Sequence, residues 1–143
     1  MVRAIGVDLG SKRIGVAVSA GTLATPLEVV ERRGAKAADH AAIAELVAEA
    51  EAEVVVVGLP LSMDGSVGRA AQRALDEVDV LRSALDVPVE TWDERLSTVT
   101  AEQSLQAQQL NGPARRRVID KVAAAVILQA WIDAQPDRAQ EQR

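Results

Sequence analysis

The sequence predicts an α/β fold: a mixed β-sheet with helices packed on it. Three observations predict it. Three β-branched runs come first, joined by turns too short for a crossover helix; a continuous Val54–Val57 run follows a helical stripe; and strand and helix patterns then alternate to residue 135. This order excludes a doubly wound dinucleotide-binding domain, which opens with a strand–helix–strand unit.

Residues 2–9 form the first expected strand, ending at the turn residue Gly10. Residues 13–19 alternate apolar and small side chains and give the second strand of a hairpin. Residues 23–31 give a third, which Pro26 pushes toward a sheet edge. Ile43, Leu46, Val47 and Ala50 mark a helix over 37–51. His40 reads as a solvated residue on that helix. Val54–Val57 has the character of a strand covered on both faces, and the loop 58–66 follows it. A helix over 67–85, a short strand over 87–92 and a helix over 98–110 come next. Asn111-Gly112-Pro113 breaks the pattern before a last helix over 114–135. Residues 1–135 read as one domain and 136–143 as a polar tail. Trp92 and Trp131 read as core.

Composition narrows the chemistry. The 143 residues contain no cysteine and one histidine, which excludes a disulfide framework and disfavours a zinc site or a Ser-His-Asp triad. Phe and Tyr are absent, so there is no aromatic platform for stacking bases. Sixteen Lys and Arg against 21 Asp and Glu leave a net charge of −5, which argues against a protein that coats nucleic acid. With no apolar run near ~20 residues and no leader-like N-terminus, a cytoplasmic protein without a membrane partner is expected.

Three acids stand out by position. Asp8 nearly ends the first strand and reads either as a turn former or as a ligand. Asp93 and Glu94 close another strand, where they read either as helix-end charges or as ligands. Asp120 begins a stripe continued by Ala123, Ala124, Ile127, Leu128 and Trp131, where an unpaired carboxylate is costly. Parallel strands end side by side, so these acids can converge. Oxygen donors without His or Cys suit Mg2+ or Mn2+, which activate water and neutralise charge on a phosphodiester.

The segments AIGVDLGSKRIGVAVS, VVVGLPLSMDGSVG, TWDERLSTVTAE and RRRVIDKVAAAVILQAWID occur in an order that resembles the YqgF/RuvX family, over residues 3 to about 133. The resemblance implies an RNase H-like fold, with three antiparallel strands first and then two parallel ones in a five-stranded sheet. It implies a nuclease that processes the 5′ end of pre-16S rRNA, with Holliday junction resolution on branched DNA, or a non-catalytic RNA-binding role, as alternatives. By the same resemblance Asp8, Glu94 and Asp120 are metal ligands, although the fourth strand ends in Gly58 rather than an acid. Lys12, Arg13, Arg95, Arg115, Arg116 and Arg117 are candidate phosphate contacts. A homodimer fits a two-fold junction substrate. DLGSKRIGVAVS also resembles the first phosphate loop of actin- and hexokinase-like ATPases. Those close two domains over a nucleotide, and this chain has length for one.

Overall fold

The computed structural model describes residues 2–97 and 112–135. Its strands are β1 (Arg3–Leu9), β2 (Arg13–Ala20), β3 (Ala24–Glu31), β4 (Val54–Leu59) and β5 (Val89–Asp93). Its helices are α1 (Lys36–Ala50), α2 (Arg69–Ala84) and α3 (Gly112–Asp133), with a 3₁₀ turn at Glu94–Leu96. The expected helix over 98–110, Asn111 and the expected tail over 136–143 lie outside the described residues.

The five strands form one sheet in the order β3-β2-β1-β4-β5. β1–β2 and β2–β3 are antiparallel, whereas β4 runs parallel to both β1 and β5. The expected topology is thus the observed one. Pro26 sits on the edge strand β3, opposite a register shift at Val16/Ala17, where it costs no interior ladder bond. Strand β4 extends through Gly58 and Leu59, two residues expected in the loop, because they continue the parallel pairing with Trp92 and Asp93. Gly112 and Pro113 belong to α3 rather than to a break. Proline is tolerated in a first helical turn, where its missing N–H has no intrahelical partner.

The period-2 alternation of β1 divides the core in two. Ile5 and Val7 join Ile43, Val47, Val55, Val57, Val78 and Leu81 beneath α1 and α2. Ala4 joins Ala17, Val56, Ala124, Ile127, Leu128 and Trp131 beneath α3. Asp8 follows Ala4 and Gly6 on the α3 face. Small residues there let α3 lie close: a Cβ at Gly15 would run into the Asp120 carbonyl oxygen. Trp131 is buried and Trp92 packs against the same cluster, as expected of core residues.

His40 departs from its expected place. It is 1% exposed, and its Nε2 shares a 2.8 Å hydrogen bond with Glu77 Oε2. Arg32 forks onto Glu77 at 2.9 Å through both terminal nitrogens and reaches Asp39 at 3.3 Å. Burial works against a charged Glu77, but hydrogen bonds from Arg32 and His40 hold its carboxyl below the usual range. Arg32 Nε also donates to the Gly10 carbonyl at 2.8 Å, and its backbone N–H donates to the Lys12 carbonyl at 3.0 Å. The network thereby pins the β1–β2 turn, two residues beyond Asp8.

Candidate active site at the strand ends

Three parallel strands deliver the site. Val7 pairs with Val57, and Gly58 pairs with Trp92, so Asp8, Gly58 and the residues just after Trp92 line up across β1, β4 and β5. Gly58 leaves the space that Glu94 occupies. A Cβ there would lie 3.0 Å from Glu94 Cγ and 2.5 Å from Ile127 Cδ1. The absent fourth-strand acid therefore leaves room that the Glu94 side chain fills from the next strand.

Burial and proximity raise both carboxyls. Asp8 is pushed up to about 6, first by desolvation and then by the Asp120 charge. Glu94 is pushed up to about 7 by desolvation, then by the charges of Asp8 and Asp93. Asp8 thus interacts with Glu94 and with Asp120. Asp120 itself is bound by Arg13, whose Nε donates to Oδ2 at 2.7 Å. Among the described residues, no three His, Asp or Glu side chains close around one point.

Two other candidate contacts, Arg95 and Arg117, are committed to carboxylates of the chain itself. Arg95 donates to both oxygens of Asp93, with a shortest contact of 2.7 Å, and to the Met63 carbonyl at 3.2 Å. Asp93 also caps the 3₁₀ turn by accepting from the Arg95 N–H, a helix-end role. Arg117 binds Glu31 at 2.6 Å. The side chains of Arg115 and Arg116 lie outside the described residues. Lys12 has no side-chain partner among the described residues.

The Arg32–Asp39–His40–Glu77 network escaped the sequence reading. A signal was present: the α1 stripe through Ile43 and Val47 extends back onto His40, and Glu77 follows Ala74 at a helical spacing on the buried face of α2.

A family model described as "RuvX: Holliday junction resolvase" matches residues 2–134. The chain belongs to the RuvX family. Among its RuvX relatives, a protein of Myxococcus xanthus named "Putative pre-16S rRNA nuclease" is 48% identical over 134 residues, covering 93% of this chain and 89% of the relative. A Desulforamulus reducens protein of the same name is 42% identical over 135 residues, 93% of this chain and 98% of its own. The RuvX chain also shares the fold of Thermus thermophilus RuvC, with a TM-score of 0.57 at 19% identity over 92% of this chain and 95% of that one. RuvC in complex with a Holliday junction substrate gives the same score. The RNase H-like fold implied by the sequence is therefore found. Among the described residues, no helix is long and apolar enough to cross a membrane.

Proposed function

We propose that this RuvX protein is a metal-dependent nuclease that hydrolyses phosphodiester bonds of pre-16S rRNA near its 5′ end. The observation that carries the reading is the pair Asp8 and Glu94, two desolvated carboxylates at the ends of β1 and β5, with Glu94 seated on Gly58 and raised by the Asp8 charge. Such a pair suits a hard divalent cation, which relieves the repulsion. Relatives named as nucleases support the substrate class.

Asp8 and Glu94 would hold Mg2+ or Mn2+, joined by Asp120 once Arg13 lets it go. When bound, the cation activates water and stabilises charge on the phosphodiester. Asp8 is rigidly placed by the β1 ladder, and Glu94 by its seat on Gly58. Arg13 stands beside the acids as a guanidinium able to bind a phosphate oxygen. A pre-rRNA substrate accords with a cytoplasmic setting.

A second reading, resolution of branched DNA by a homodimer, draws on the family's description and the RuvC likeness. One assay separates the two: purified protein with magnesium or manganese, offered pre-16S RNA and a four-way junction side by side. Cleavage of the RNA alone, lost in Asp8→Asn, supports the first reading. Symmetric cleavage of the junction alone overturns it in favour of the second, and cleavage of neither overturns both.

A further inference from the structure

A second concavity, of about 960 Å³, opens on the other side of the β1 strand end, between the β1–β2 turn, the start of α1 and α2. Its floor is one hydrogen-bonded cluster. Asp39 and Glu77 are both held by Arg32, and Glu77 also by His40. Glu31 at its edge is paired with Arg117.

Its rim carries cations. Lys12 lies on the turn, Lys36 on the first turn of α1 and Arg73 on α2. All three are exposed, line the cleft and have no side-chain partner among the described residues. The acid Asp76 accepts from Gln72 and is the remaining carboxylate of the lining. Three cations with no carboxylate partner among the described residues thus share one concavity in a chain of net charge −5.

The cleft reaches the candidate active site. Leu9 and Gly10 of its wall immediately follow Asp8, and Arg13, another wall residue, holds Asp120 at 2.7 Å. Cations supplied by three separate elements, the β1–β2 turn, α1 and α2, suit a chain of phosphates better than a single anion.

We infer that the Lys12–Lys36–Arg73 cleft seats the phosphodiester backbone of a single nucleic-acid strand flanking the scissile bond, independently of base and sugar. The inference rests on the nuclease reading for its ligand. Base independence follows from the lining, which contains no aromatic side chain. Independence of the sugar follows because ammonium and guanidinium groups read phosphate charge.

The test is fluorescence anisotropy with labelled single-stranded RNA and DNA of one mixed sequence, about 12 nucleotides long. The full chain is used in a buffer containing a metal chelator, so that nothing is cut. Lys12→Ala/Lys36→Ala/Arg73→Ala should weaken binding of both strands about tenfold or more at low salt. The slope of log affinity against log salt should fall by roughly 2, from three contacts at about 0.7 each. All three side chains are exposed, so the variant should fold; its circular dichroism and Tm check that. Arg3→Ala, which removes a cation at the opposite end of β1, should change neither quantity.

Unchanged affinity and slope in the triple variant would overturn the cleft, as would failure of the wild type to bind either strand. Tight RNA binding with no DNA binding would overturn its indifference to sugar. Cleavage assays with metal separate the two readings. A protein that binds through the cleft but cuts no substrate leaves the cleft standing and removes the nuclease. One that cuts equally well with and without the three cations does the reverse.

Discussion

At residue scale, Asp8 and Glu94 decide how the metal-free protein responds to pH. Both carboxyls have folded-state values raised above their usual ones, to about 6 and about 7. The folded chain therefore binds more protons than the unfolded chain between about pH 4 and 7, and stability falls as pH rises through that window. In a chelating buffer, Tm near pH 5 should exceed that near pH 7.5 by roughly 3–8 °C, for about 1–2 kcal/mol. Magnesium should flatten the difference by stabilising the ionised pair, and calorimetry at the two pH values checks both statements. Asp8→Asn removes one of the repelling charges at nearly constant volume. It should leave metal-free Tm at pH 7.5 unchanged or a few degrees higher while abolishing cleavage. A large fall in Tm would make Asp8 a structural residue instead.

Elements meet this site through missing side chains and through one buried charge network. Gly15→Ala would drive a Cβ into the Asp120 carbonyl and lift α3 from β2. It should cost about 1–3 kcal/mol and lower activity together with Tm, because Asp120 moves with its helix. Glu77→Ala, on the other side of the sheet, leaves Arg32 charged and deprived of its principal carboxylate, a loss of about 3–5 kcal/mol readable by urea denaturation. The strand ladder and α3's apolar stripe were legible in the sequence because period and turn chemistry are local. The acids at strand ends were legible for the same reason. What escaped the sequence is long-range: that Arg32 grips Glu77 across 45 residues, that His40 lies beneath α2, and that Gly58 provides Glu94 with its seat. Boundaries slipped where pairing overrode propensity, as when parallel register with β5 drew Gly58 and Leu59 into β4.

For the molecule as a whole, the two sides of the sheet respond to acid with opposite signs. Glu77 has its carboxyl held below the usual range, so its stabilisation is present above about pH 4.5 and is lost as pH falls further. The Asp8–Glu94 pair loses stability in the other direction, as pH rises. The metal-free chain should therefore be most stable near pH 5, and Glu77→Gln should flatten the acid limb alone in a Tm-against-pH series. Electrostatics also divides the surface: Arg95 and Arg117 are matched by Asp93 and Glu31, whereas Lys12, Lys36 and Arg73 have no partner among the described residues. A polyanion meets attraction at this cleft against a net charge of −5, which makes its association sensitive to ionic strength.

Arg13 and Asp120 satisfy each other while the chain is alone. A phosphate that takes the guanidinium releases the carboxylate, and a cation that takes the carboxylate releases the guanidinium. Nucleic acid and metal then recruit each other: heterotropic cooperativity carried by one ion pair, and equal in both directions by thermodynamic reciprocity. Magnesium titrated calorimetrically should bind more tightly, by about 5-fold or more, when an uncleavable oligonucleotide is present. Arg13→Gln should tighten magnesium binding in the absence of nucleic acid and erase that difference. Equal magnesium affinity with and without the oligonucleotide in the wild type would show that the pair does not communicate. With the coupling intact, a chain that uses a divalent cation would hold it weakly until a strand arrives, and a hydrolytic centre would assemble on its substrate.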